Sequence, residues 1–168
     1  MSTPRLAQLR LVPGPSAPAR ARRFLEETCG RWMAADAGPA TAAATAAARA
    51  ATTAAASTIA DAALVLSELV TNAVRHAGTE IQVALELWDG ALTVSVHDGG
   101  PALPRLIPQA ERRFGGQGLA IVVRLAEAWG VVVGDGGKTV WCRLRPRAAS
   151  AAGAQWALRK GDQDRWSA

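Results

Sequence analysis

The sequence predicts a two-layer α/β sandwich: a mixed, mostly antiparallel sheet with helices on one face. Three observations predict it. Two alternating apolar runs, Ile81, Val83, Leu85, Leu87 and then Leu92, Val94, Val96, meet across Asp89-Gly90, a dipeptide that favours a tight hairpin. A stretch of helical period precedes them, with Leu66, Leu69, Val70, Ala73 and Val74 on one side and Glu68, Asn72 and Arg75 on the other. The order strand, helix, helix, two strands, loop, helix, two strands then gives neighbouring strands a single covering layer.

Taken in order, a short apolar strand is expected over residues 9–12. Ser16 is placed to cap the first helix, and Pro18 sits in a first turn that tolerates it. That helix runs to about Trp32. Residues 34–58 are mostly Ala and Thr; alanine favours helix, yet the stretch has few large groups to bury. It reads as a loose insertion or a poorly anchored helix. Asp61 is a good N-cap for the second helix, which reaches about Ala77 and stops at Gly78. After the hairpin comes HDGGPALPRLIPQAERRFGGQG, turn-rich and long enough for a functional loop. Its segment 103–117, with Pro104, Pro108, Gly115 and Gly116 and few large apolar groups to anchor its middle, is expected to be a mobile lid. A helix from Leu119 to about Trp129 follows, then strands over 131–133 and 139–144 around a GDGG turn.

A chain of 168 residues, 49% of them hydrophobic, can build one complete core but not two. The division is therefore a tail over residues 1–8, one domain over 9–145 carrying the Ala/Thr insertion, and a flexible tail over 146–168. The net charge of +5 comes largely from arginines near both ends. It suits a polyanion, but without interleaved aromatics or a reading element no direct nucleic-acid contact is expected. Cys29 and Cys142 lack metal-ligand spacing and read as core fillers in a reducing compartment. With no signal-peptide run and no membrane-like span, a cytoplasmic chain is expected.

Glu68 and Asn72, four apart, present a carboxylate and an amide from adjacent turns, with Arg75 and His76 one turn further on. An amide oxygen can ligate Mg²⁺, and a carboxylate can take a proton from an attacking hydroxyl. The same spacing also describes an ordinary solvated helix face. Other apparent motifs fail on context. GDGGKT has Val132 where a P-loop needs its first glycine, and GGQGLA lacks the third glycine of a dinucleotide fingerprint. His76 and His97 have no paired zinc spacing.

SELVTNAVRH resembles the N box of the GHKL (histidine-kinase-like) ATPases, HDGGP their first glycine box, and GGQGLAIV their second, in the family's order. The resemblance covers about residues 11–144 and is greatest to the single-domain anti-sigma-factor serine kinases. Their usual ending is matched by Trp129-Gly130 and by GKTVW at residues 137–141. It implies the Bergerat-type ATP-binding fold, ATP and Mg²⁺ as ligands, Asn72 as the Mg²⁺ ligand and Glu68 as general base. It further implies an ATP site made by Asn72, Arg75, Asp98, Gly100, Gly116, Gly118, Leu119 and Thr139. Asp98 would accept a hydrogen bond from the adenine amino group, and the Thr139 hydroxyl would help hold the base. The implied partners are a sigma factor and an anti-sigma-factor antagonist, the latter phosphorylated on serine; a homodimer stays open. A catalytically inactive, partner-binding module is the alternative. The sequence departs from the family in the Ala/Thr insertion and in Pro101 after the first glycine box.

Overall fold

A computed structural model describes residues 3–36, 46–104, 118–134 and 136–146. Among them are five strands and three helices: β1 (Arg5–Leu11), α1 (Ala17–Asp36), α2 (Ala46–His76), β2 (Ile81–Trp88), β3 (Ala91–Asp98), α3 (Gly118–Leu125), β4 (Ala128–Gly134) and β5 (Gly137–Leu144). The strands form one sheet in the order β1-β2-β3-β5-β4, and every neighbouring pair is antiparallel. Helices pack on one face, so the two-layer α/β sandwich holds, with a wholly antiparallel sheet.

The β2–β3 turn is the simplest link between sequence and structure. Asp89 and Gly90 both adopt positive φ, 50° and 68°, the pair of values that matches the right-handed twist of the flanking strands. This fixes the register Leu85↔Val94 and Val83↔Val96 and carries both apolar sets to the helical face. There they meet Leu66, Leu69, Val70 and Ala73 of α2, Leu25 of α1, and Leu119 and Val122 of α3 in one core.

Several expected boundaries move. β1 begins at Arg5, because the Arg5 guanidinium donates to Trp32 O at 2.8 Å and pairs with the Asp36 carboxylate, tying the strand to the end of α1. Residues 5–8 therefore pair with β2 in the sheet. α1 likewise runs on past Trp32 to Asp36.

The second helix does not start at Asp61 but runs unbroken from Ala46. Alanine's propensity propagates the helix upstream without a new cap. The hydroxyls of Thr52, Thr53 and Thr58 bond back to the carbonyls of Ala48, Arg49 and Ala54 at 2.9 to 3.0 Å. Residues 48–53 are exposed, and burial becomes regular only from Thr58 onward. Ala48–His76 is long and apolar enough to cross a bilayer, but its C-terminal half carries the core of the sandwich.

α3 ends at Leu125, and Trp129 lies in β4. The Glu127 amide bonds Arg143 O at 2.8 Å, so the ladder with β5 takes over from the helix. The segments 37–45, 105–117 and 147–168, which hold much of the expected insertion, lid and tail, lie outside the described residues.

Gly137 opens β5 with φ +131°, and a Cβ there would overlap the Asp98 carbonyl oxygen and come 2.7 Å from the Gly99 Cα. Gly137→Ala is therefore expected to destabilise the fold by at least about 1 to 3 kcal/mol, read as a lower denaturation midpoint in urea. An unchanged midpoint would show that β5 can retreat from β3 at no cost.

Candidate functional site

α2 organises the site. Its apolar side is committed to the core, which leaves Glu68 and Asn72 half-buried on the flank and Arg75 exposed near the C-terminus. The start of α3 lies directly on this flank: a Cβ built on Gly118 would stand 2.6 Å from Glu68 Oε2 and 3.2 Å from its Cβ. A side chain at position 118 would have to push the Glu68 carboxylate aside. Gly118 and Leu119 are both buried there. Leu119 belongs to the core, so it supports the helix start from beneath.

Just beyond the end of α2 lies the second cluster. A Cβ on Gly100 would meet the Ala77 Cβ at 2.8 Å, and the Gly99 amide donates to Thr79 Oγ1 at 2.9 Å. The turn after β3 is thereby fastened to the end of α2. Glu68 and Ala77 are about 14 Å apart along the helix at 1.5 Å per residue, and Asn72 lies between them. Along α2, Gly118 thus lies beside Glu68 and the Gly99-Gly100 turn beside Ala77, with Asn72 between them.

Asp98 is the last residue of β3 and lies on the helical face, 3% exposed. Its Oδ1 accepts from the Gly100 amide at 2.9 Å and from Lys138 Nζ at 2.6 Å. Lys138 also donates to Gly100 O at 3.0 Å. Both partners of this ion pair are inside the protein, with side chains 7% and 4% exposed for Lys138 and Asp98.

Thr139 follows Lys138 in β5 and therefore faces the other side of the sheet, where its hydroxyl lies 3.2 Å from His97 Nδ1. The structure does not bring Thr139 together with Asp98. The β5 residue that reaches Asp98 is Lys138, which the sequence reading missed. Its position was nonetheless recoverable. Val140, Cys142 and Leu144 alternate as the buried set of β5, and one more step of two lands on Lys138.

The two cysteines take no part in the site. Both are buried and free, and burial pushes the thiols up to about 11 at Cys29 and about 12 at Cys142. A thiol so far from ionisation is a poor nucleophile, and both side chains simply fill the core.

A family model described as a histidine kinase-like ATPase domain matches residues 33–144. The chain belongs to the histidine kinase-like ATPase family. A search among curated proteins gives no match. The family match runs through the Ala/Thr stretch, so that stretch falls within the ATPase domain along with the remainder of α2.

Domains of this family bind ATP, usually with Mg²⁺, and the residues here fit both ligands. Asn72 and Glu68 offer the oxygen donors that Mg²⁺ takes. The amides at the start of α3 are of the kind that suits a phosphate, and Gly118 brings that helix start close to the Glu68 carboxylate. Asp98 offers a buried acceptor suited to an amino group. Gly116 lies outside the described residues. Arg75 is exposed on the last turn of α2, the same helix as Asn72.

Proposed function

We propose that this ATPase-family domain binds ATP·Mg²⁺ along the flank of α2 and transfers the γ-phosphoryl group to a serine of a protein partner. The carrying observation is the close packing of Gly118 against the Glu68 carboxylate, which puts a proton acceptor beside a helix start able to bind phosphate. By resemblance the phosphorylated partner is an anti-sigma-factor antagonist, and a sigma factor is the protein held inactive.

The division of labour follows from the residues. Asp98 accepts the adenine amino group; Gly100 lets the backbone pass beside the base. Gly118 and Leu119 at the start of α3 offer amides to the phosphates, with Arg75 adding positive charge at the end of α2; Gly116 joins them by resemblance. Asn72 holds Mg²⁺, which when bound neutralises phosphate charge. Glu68 takes the proton from the serine hydroxyl as its oxygen bonds to the γ-phosphorus and the bond from that phosphorus to the β,γ-bridging oxygen breaks, leaving ADP. Most of the acceleration comes from positioning and electrostatics, as in phosphoryl transfer generally.

Incubation with γ-labelled ATP and candidate partners tests the reading: label should move to a partner serine. Binding of ATP without transfer to any partner would favour the module that acts by binding alone.

Asn72→Ala gives a narrower check. In calorimetry it should weaken ATP binding in Mg²⁺ by roughly tenfold or more, toward the affinity seen in EDTA, a tenfold loss being about 1.4 kcal/mol. An unchanged Mg²⁺ dependence would remove Asn72 from the metal site.

A further inference from the structure

Lys138 is out of place in its strand. Its neighbours on the helical face of β5 are Val140, Cys142 and Leu144, all buried, and an apolar residue at position 138 would continue the pattern. Replacing a buried ion pair by apolar groups is often neutral or stabilising, so core stability alone gives no reason for a lysine here.

What the lysine does geometrically is specific. One ammonium spans Asp98 Oδ1 at 2.6 Å and Gly100 O at 3.0 Å, while the Gly100 amide bonds the same Oδ1 at 2.9 Å. The carboxylate and the turn behind it are held as one unit, and neither torsion of Asp98 can change without breaking two bonds. With Oδ1 committed to two donors, Oδ2 becomes the oxygen that an incoming amino group meets. The ammonium also fixes the role of the group, since a carboxylate paired with a lysine accepts hydrogen bonds and does not donate them.

We propose that Lys138 is a positioning residue for base selection: acting through Asp98, it makes the pocket favour purines that carry a 6-amino group. This rests on the reading of the site as an ATP site. Lys138 needs no contact with the nucleotide; its effect falls chiefly on the part of the affinity that the amino group supplies, with a smaller loss common to all purines where the Gly100 turn loosens.

That difference makes the test. Dissociation constants are measured by calorimetry for ATP and for purine riboside triphosphate, which lacks only the 6-amino group, with wild type, Lys138→Met and Lys138→Gln. Wild type is expected to prefer ATP by roughly 10- to 100-fold, the range for a hydrogen bond to a charged group. Lys138→Met should bring the ratio of the two constants to within about threefold of one, with a smaller loss of affinity for the analogue than for ATP. Lys138→Gln keeps a neutral donor and should retain part of the preference; if the Met variant does not fold, the Gln ratio decides. An unchanged ratio in a folded variant would show that Lys138 only fills its place in the strand, which overturns the proposal. Tighter ATP binding by the Met variant would overturn it as well, by showing that lysine and base compete for the carboxylate. Failure of wild type to bind either nucleotide would instead overturn the underlying ATP reading.

Discussion

Asp98→Ala is expected to cost about 3 to 5 kcal/mol of folding stability before any nucleotide is added, because it strands the Lys138 ammonium inside the protein with its carboxylate gone. For a domain of this size that corresponds to a melting temperature lower by roughly 10 °C or more. The experiment is a urea denaturation series on wild type, Asp98→Ala and Asp98→Ala/Lys138→Met. The double variant removes both charges, so it should recover much of the loss, and the coupling between the two positions is read from the cycle. Additive effects would mean that the pair contributes nothing beyond its separate members. The same result bears on nucleotide binding. A weak affinity in Asp98→Ala identifies a base contact only if measured where the variant is still folded, since loss of the carboxylate also loosens the turn that ends at Gly100.

Glu68→Gln should leave ATP binding nearly intact and reduce phosphoryl transfer by about 10²- to 10⁴-fold, the usual contribution of a general base. The amide preserves the size of the side chain, and therefore the contact with Gly118, but cannot take the hydroxyl proton as a carboxylate does. Single-turnover transfer to a partner serine, compared with ATP affinity by calorimetry, separates the two effects. Equal transfer rates in wild type and variant would remove Glu68 from the chemistry and leave it as the residue on which the α3 N-terminus rests.

The hairpin and the α2 flank were legible because each is governed by local chemistry. Asp89-Gly90 dictates its own turn, and the spacing of Glu68 and Asn72 sets their common side once the helix exists. The start of α2 was not legible. Asp61 carries a strong cap signal, but a cap matters only where a helix must begin, and the alanines upstream leave nothing to begin. Trp129 was assigned to a helix because the apolar pattern after Gly118 continues into it; the backbone bond from Glu127 to Arg143 O, a non-local event, ends that helix early. The exchange of Thr139 for Lys138 is a one-residue slip in a strand, and such a slip reverses every side chain. Judged by residue type, a threonine suits an adenine pocket better than a buried lysine does. Judged by the run of Val140, Cys142 and Leu144, the lysine is the residue on Asp98's side.

The two anchors of the second polar cluster and of the Glu68 flank have a bearing on how such a domain diversifies. Gly100 is held by Asp98 and Lys138 from within the sheet, and Gly118 is seated on Glu68. Both attachment points are thus fixed by the rest of the fold. Each doubling in the length of a flexible connection costs only about 0.6 kcal/mol in closure entropy. Insertions and deletions between these two glycines that spare Gly116 can therefore accumulate at little thermodynamic penalty, while the groups on α2 and β3 keep their relative positions. A lineage built on this frame is free to change what its site sees from outside without rebuilding the site.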